Sequence, residues 1–463
     1  MDLRKIFNYI PEVKKPEEKK LAFNVKLKWT LIVLVAFFIL ANISLFGMSN
    51  NALERFKYLA IILGTDFGSI ISLGIGPIVM ASIILQLLTG AGILNIDITT
   101  TEGKKFFQGV QKLLVFFFII FESCVYVLMK GLEAMPGFTG IVIFQLMLGG
   151  LAIFYMNELC EKWGFGSGVS LFIAAGVSWH LFSGAFQFVN QQGGNCLLDF
   201  KGTPCSGRVL VLIQSLINKY PVEFTSALAA IIATVIIFLI VVWAQSLKVE
   251  IPLSFGRIRG YAIKWPLAFF YASVIPVILT AALVANIQLF GGLLENWAGH
   301  PTFLGHFVNG RAASGFAFWL GDTNLLELII RGGFLPRFLL QGLTHILFYI
   351  GLCTMFSVFW VKTSGMDSKA QAQKIASSGL QVSGFRQDIR ILESILDRYI
   401  MPLTVMGGAA IGLLAATTDL LGALASGTAI LLVIMIMFQF YQNIAQQHMT
   451  DMNPTMRKFM GTG

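Results

Sequence analysis

Few residues in this sequence have the type and spacing that catalysis needs. Gly164-x-Gly166-x-Gly168 has the outline of part of a phosphate-cradling loop, but no strand-like run precedes it and no Gly-Lys-Ser/Thr occurs. Glycines so placed more simply begin a helix at close packing distance. Neither Ser-x-x-Lys nor His-Glu-x-x-His is present, which argues against an enzyme. The five histidines form no ligand-spaced cluster, so no metal or cofactor is expected. Cys124, Cys160 and Cys353 lie in or beside apolar runs, where a thiol is usually a packing residue. Cys196 and Cys205 share one polar loop and could form a disulfide if that loop is outside. What remains is polarity in apolar surroundings. Glu122 in FIIFESCVYVL, Asn286 in ALVANI and Gln86 in SIILQLL sit where lipid-depth helices are expected, and such groups are by default functional or paired.

The elements that position these residues are membrane helices. Of the 463 residues 56% are hydrophobic and only 12% charged, about half the share of an ordinary soluble domain. With a mean hydropathy of +0.76, most side chains must face lipid or other membrane helices. Residues 1–29 lack the apolar core and cleavage site of a signal peptide, so the first span is expected to double as the targeting signal. A span needs about 20 mostly apolar residues, and nine runs qualify: roughly 30–47, 110–130, 138–157, 168–188, 224–245, 266–289, 335–361, 399–418 and 420–441. A tenth, near 73–91, is apolar but interrupted. Ten spans put both termini on one side. With that side cytoplasmic, it carries twenty-four Lys and Arg against nine opposite, as the positive-inside bias requires. The same bias accounts for the net charge of +9 without invoking nucleic acid. Ten also divides into two five-span halves, and an odd number per half would make them inverted relative to each other.

The interruption is the most informative local feature. Gly74, Gly76 and Pro77 fall where a helix would otherwise cross. Non-helical backbone at membrane depth survives only inside protein or beside a water-filled cavity, so the break belongs inside the bundle. Pro77 can start a new helix from Ile78 to about Thr89, because its missing N–H falls in an unpaired first turn. The piece before it, about Leu59–Leu73, is too polar for lipid and too short to span, and reads as a re-entrant plug on the external side. A simple Pro-kinked helix would give the same spacing. A discontinuous helix also suits an ion-coupled solute transporter, but transporters gather polar groups at the break. Here Ile75, Ile78 and Val79 flank it, as suits a channel that must seal against ions.

Other segments have simpler readings. Leu3, Ile6, Phe7 and Ile10 recur at helical spacing among basic residues, an interfacial amphipathic helix that Pro11 and Pro16 end. Residues 246–265 suggest a basic hairpin-like projection, and 362–398 a second basic loop with a Gly-punctuated tip. In the long external loop 291–334, Phe316, Phe318 and Trp319 suit the membrane interface.

Several stretches, in this order, resemble the SecY family, the main subunit of the protein translocon. They are LGIGPIVMASIILQLL (73–88), GFGSGVSLFIAAGV (164–177), IPLSFGRIRG with ASVIPVILTAALVANI (251–287), SGFRQDIRILESIL (383–396) and GALASGTAILLV (422–433). The external-loop lengths and the GIGP form are closer to archaeal and eukaryotic members than to bacterial ones. The resemblance covers nearly the whole chain and implies one domain: a cytoplasmic N-terminus 1–29, halves 30–220 and 221–441, and a cytoplasmic tail 442–463. It implies an all-α integral membrane fold of ten transmembrane helices in two inverted five-helix halves, with a re-entrant plug helix.

By motif position it further implies a sealing pore ring of Ile75, Val79, Val169, Ile173, Ile278 and Leu432, with Val169 replacing the commoner Ile. The plug would include Thr65, Asp66, Phe67, Gly68, Ser69, Ile70 and Ile71. A lateral gate would lie between the second and third spans and the seventh and eighth, held by contact of Glu122 with Asn286, Gln86 joining them. Arg257, Arg259 and Arg386 would meet a ribosome, whose RNA phosphates suit guanidinium groups. Implied partners are a nascent polypeptide with its signal sequence, a SecE-like clamp subunit and a second small single-span subunit. No small-molecule substrate is implied. The implied setting is a multi-pass protein of the plasma membrane, if prokaryotic, with both termini cytoplasmic.

Overall fold

The computed structural model describes residues 11–18, 21–94, 96, 100–189, 195–196, 205–255, 262–308, 310–333, 335–377, 380–382 and 388–452. Among them nine helices are long and apolar enough to cross a membrane: α1 (Phe23–Ala41), α4 (Thr101–Leu128), α5 (Thr139–Trp163), α6 (Gly168–Phe186), α8 (Pro221–Ser246), α9 (Ile275–Ala298), α12 (Pro336–Thr363), α14 (Ile389–Leu420) and α15 (Gly427–Met452). The tenth expected span is the shorter α3 (Gly76–Gly90), preceded by the small α2 (Lys57–Ile62). The helices start where the chemistry of the first turn allows. Proline stands in the first two positions of α3, α8, α9 and α12, where its missing N–H has no partner to lose. Thr100 and Ser167 cap α4 and α6 by accepting from the amides of Gly103 and Ser170.

Burial separates the centre of the bundle from its rim. Inside the protein, 78% of the apolar stretch of α9 is buried, against 11% for α1. Helix α9 is therefore solvated by protein on nearly every side, whereas α1 presents Leu31, Val35 and Ile39 outward, as a lipid-facing helix must. Helix α14 continues through Pro402, which removes one rung of its hydrogen-bond ladder. Beyond it Gly407 lets the helix approach the backbone; a Cβ there would stand 2.6 Å from the Phe269 carbonyl oxygen.

Outside the bundle, β3 (Lys248–Phe255) pairs antiparallel with β4 (Ala262–Ala268) from Lys248↔Ala268 to Ser254↔Ala262. This is the hairpin expected from residues 246–265. A third strand, β7 (Leu380–Val382), joins β3 and so ties the second basic loop to the first. At the other end β1 (Met48–Asn51) pairs with β2 (Leu132–Ala134), and β5 (His306–Val308) with β6 (Arg311–Ser314). Short helices α7 (Arg208–Asn218), α10 (Phe316–Leu320) and α11 (Leu325–Ile330) complete these connections, and α13 (Ser368–Ser377) follows α12. In the connection from α6 to α7, Cys196 and Cys205 form a disulfide with Cα atoms 5.4 Å apart. Phe318 is buried there, while Phe316 and Trp319 are exposed.

Several boundaries differ from the sequence expectation. Helix α4 begins at Thr101 rather than near 110, and α14 at Ile389 rather than near 399. Helix α9 runs Ile275–Ala298 rather than 266–289, its expected first residues being taken by β4 and turns. Helix α1 begins at Phe23 and ends at Ala41, so the lysines Lys26 and Lys28 ride on the first span's helix. Charge marks where lipid ends, not where hydrogen bonding ends. Helix α15 likewise runs to Met452, carrying helix well into the expected tail from 442. The expected plug helix is helical only over Lys57–Ile62, and Leu63–Ile75 are turns and irregular chain with one β-bridge from Ser69 to Ser44. The expected amphipathic helix of residues 1–10 and the side chains of Arg257, Arg259 and Arg386 lie outside the described residues.

Candidate pore and gate

The non-helical segment is held by main-chain bonds that replace a helical ladder. Ile75 N donates to Leu63 O at 3.0 Å, closing the turn run onto itself. Leu45 N donates to Gly68 O and Ile70 N to Ile43 O, each at 2.9 Å, fixing the segment to the chain after α1. Thr65 Oγ1 donates to Ile71 O at 2.6 Å, and Asn51 Nδ2 to Phe67 O at 2.8 Å. Gly74 has φ +53°, and a Cβ there would meet Leu63 O at 2.4 Å, so both the turn and the close approach require glycine. Leu59, Leu63, Phe67, Ile71 and Leu73 are all buried. The backbone at membrane depth is thus shielded by protein, as a membrane interior demands.

The six residues expected in the ring belong to one contiguous apolar cluster. Ile75, Val79, Ile173, Ile278 and Leu432 are buried in it, and Val169 packs against it half-buried. Plug residues Phe67 and Ile71 belong to the same cluster, with Ile70 packed against it. Above it opens a cavity of about 500 Å³. Val79, Val169 and Ile278 line that cavity, with Gln86, Glu161 and Trp360 on its walls. Three ring positions therefore face the cavity, while Ile75, Ile173 and Leu432 do not line it. A branched apolar floor beneath a polar-walled cavity can exclude ions by dewetting while yielding to a bulky chain.

The polar gate residues are buried, with Glu122 0%, Asn286 1% and Gln86 3% exposed. No hydrogen bond joins Glu122 to Asn286. Asn286 Nδ2 instead donates at 2.8 Å to Ala282 O in its own helix, leaving Oδ1 without a hydrogen-bond partner. Glu122 lies against the first turn of α3: a Cβ on Gly76 would stand 3.0 Å from its Oε2. A helix N-terminus carries partial positive charge, so this is a favourable place for a carboxyl group. Neither oxygen of Glu122 has a hydrogen-bond partner, nor does Gln86 Oε1. Unsatisfied buried acceptors on α3, α4 and α9 make the closed packing costly to hold.

A second buried polar line escaped the sequence reading. Gln341, His345, Tyr349, Cys353 and Ser357 recur every fourth residue on α12, all buried. His345 Nδ1 lies 2.8 Å from Leu320 O, and its Nε2 3.5 Å from Asp419 Oδ2. Thr428 N donates to Asp419 Oδ1 at 2.6 Å, and Cys353 Sγ to Thr280 Oγ1 at 3.3 Å. The line joins α12 to α9, α14 and α15. A four-residue recurrence of polar groups inside an apolar run was the available signal.

A broken span enclosed in a bundle of apolar helices, with a cavity lined by residues of several of them, is the architecture of a membrane channel. The SecY family model matches residues 69–441. The chain is 41% identical to the protein translocase subunit SecY of Methanothermobacter thermautotrophicus, covering 98% of each. It superposes with a TM-score of 0.82 on a SecY protein whose plug domain stabilises the closed state of the translocation channel and maintains a membrane seal. That pair is 37% identical, over 98% of this chain and 99% of the other. It also matches Sec61 of the canine ribosome–channel complex from the endoplasmic reticulum, with a TM-score of 0.78 and 36% identity over 98% and 99% of the two chains. The chain belongs to the SecY family, and it is a protein-conducting channel subunit.

Proposed function

We propose that this chain is a passive, gated conduit that carries unfolded polypeptides across the membrane and releases apolar segments sideways into lipid. Ile75, Val79, Val169, Ile173, Ile278 and Leu432 form the seal, and Thr65–Ile71 the plug beneath it. The gate parts between α3 with α4 and α9 with α12, where Gln86, Glu122 and Asn286 lie. A hydrophobic signal sequence entering there would relieve their unsatisfied acceptors' confinement. The observation that carries this reading is that three of the six ring positions, Val79, Val169 and Ile278, come from three different helices to line one cavity of about 500 Å³.

The residues 30–220 and 221–441 act as two halves that hinge about this seal. Both termini are cytoplasmic, in the plasma membrane of a prokaryote, a reading supported by the distribution of Lys and Arg. With no catalytic constellation in the sequence, driving force comes from a partner. A translating ribosome is that partner, docking on the joined basic loops through Arg257, Arg259 and Arg386; the canine relative's ribosome complex supports this. A SecE-like clamp subunit and a second small subunit complete the assembly.

Cysteines placed at Ile75 and Ile278 in the reconstituted complex test the pore. A stalled nascent chain carrying one cysteine should form disulfides with both. Solute uptake driven by an ion gradient, with no response to a stalled ribosome–nascent chain, would overturn the assignment.

A further inference from the structure

Residues 11–18 form no helix or strand, yet their main chain is read by side chains in an ordered way. Val13 N donates to Glu158 Oε2 at 2.9 Å, and Lys162 Nζ donates to Val13 O at 2.7 Å. Trp163 Nε1 donates to Lys14 O at 2.9 Å. The Glu12 carboxylate meets Lys112 and lies 3.6 Å from Lys162. Lys112 and Lys162 also share Glu158 Oε1, at 2.6 and 3.4 Å. Two lysines and two glutamates thus form one ion-paired cluster, with Glu161 beside it, in which only Glu12 is largely exposed, at 53%. Removing Glu12 would leave two mostly buried ammonium groups with one carboxylate between them, an unfavourable arrangement.

An amide, two carbonyls and an acidic side chain of three consecutive residues are recognised, which is how clefts bind extended peptides. The cleft is built from the last two turns of α5, which carry Glu158, Lys162 and Trp163, and from Lys112 in the body of α4. The same strand of chain continues to Leu21, whose carbonyl accepts from Gln447 Nε2 at 2.9 Å, while Lys26 Nζ donates to Gln447 Oε1 at 3.0 Å. Gln447 lies on α15, the helix that carries Leu432, so the segment bridges gate helix α4 and a pore-lining helix of the other half.

We propose that the last turns of α5 and Lys112 of α4 form a binding cleft for an extended acidic–apolar–basic peptide, occupied by the chain's own Glu12-Val13-Lys14 as a detachable strap that holds α4 in its closed position. Docked, the strap joins Lys112 on α4 to Glu158 and Lys162 on α5 and extends the tie to α15. Released, it leaves Lys112 and Lys162 without the Glu12 carboxylate that ties them together and α4 free to tilt. The consequence for opening rests on the gate proposed above, whereas the docking does not.

The test uses the full chain reconstituted with its partner subunits and compares the unsubstituted channel with Glu12→Arg. Amide exchange of the peptide containing Val13 should accelerate about tenfold on loss of docking. Ion conductance in planar bilayers should rise about fivefold, the low end of an allosteric coupling. A variant lacking residues 1–16 should conduct like Glu12→Arg and be quietened by a synthetic Pro11–Pro16 peptide, not by its scrambled form. Unchanged exchange in Glu12→Arg would overturn the docking. Faster exchange with unchanged conductance, while Gly76→Leu does raise conductance, would overturn the coupling and leave the gate reading standing. If neither variant alters conductance, the gate reading fails and the strap's role fails with it.

Discussion

Gly76 and Glu122 are in close contact across two helices: a single methyl group on Gly76 would come within 3.0 Å of Glu122 Oε2. The first turn of the broken span is therefore moulded around a buried carboxyl group on its neighbour. Gly76→Ala should be tolerated at a cost under about 1 kcal/mol, because the end of a glutamate can swing aside. Gly76→Leu cannot be absorbed that way and should pry α3 from α4. Ion conductance of the reconstituted channel should rise severalfold, and Glu122→Ala in the same chain should return it toward the starting value. A double-mutant cycle with no interaction between the two sites would disprove the contact's role.

The plug is pinned by a glycine on α5. A Cβ at Gly149 would stand 1.9 Å from the Ile70 carbonyl oxygen, a clash with backbone that no rotamer relieves. Gly149→Ala should displace the plug segment. Overpacking of this kind costs about 1–3 kcal/mol, so the closed state should lose roughly tenfold or more in population. Single-channel recordings would read that as a higher resting conductance, while far-ultraviolet circular dichroism stays unchanged.

Cys196 and Cys205, nine residues apart, close a small loop between α6 and α7. Restricting the unfolded chain over so short a loop contributes about 2–3 kcal/mol. Replacing both with serine should lower the thermal midpoint of the detergent-solubilised complex by a few degrees. A cysteine placed at the exposed Phe303, in the loop after α9 on the same expected side, should be labelled by a membrane-impermeant maleimide in intact cells. Labelling only after permeabilisation would reverse the proposed orientation.

Strap docking should depend on pH through Glu12, whose carboxyl is held below the usual glutamate range by its hydrogen bond to Lys112 despite partial burial. Lys162 adds to that effect, and Glu158 and Glu161 are the other acids facing the cluster. A depressed acid stabilises the docked state fully above its unfolded value near 4.5 and loses that contribution as pH falls through the folded value. Protection of the Val13 amide should therefore be flat through neutrality and fall only in acid. Glu12→Gln should abolish that acid step.

Much of the bundle is legible in the residues alone, for a physical reason. Twenty apolar residues can satisfy their backbone in lipid only as a helix, so length and composition suffice to place the spans. Their ends are less legible, because α1 and α15 remain helical into the polar regions where Lys26 and Gln447 make contacts. The gate shows the other limit. Glu122 and Asn286 were recognisable as misplaced polar groups, but the sequence could not reveal that Asn286 turns back on Ala282 and Glu122 toward Gly76. Those choices depend on which helices touch.

The sequence by itself determined the membrane setting, the number of spans, the break at Gly74–Pro77 and, through its motifs, the family. These are properties of local composition and of residues adjacent in the chain. Only the tertiary structure decided that the plug is turns and irregular chain rather than helix, that three ring residues face the cavity, and that Glu12 closes an ion cluster with Lys112, a hundred positions away. Each of those rests on contacts between distant segments, which helical periodicity does not encode.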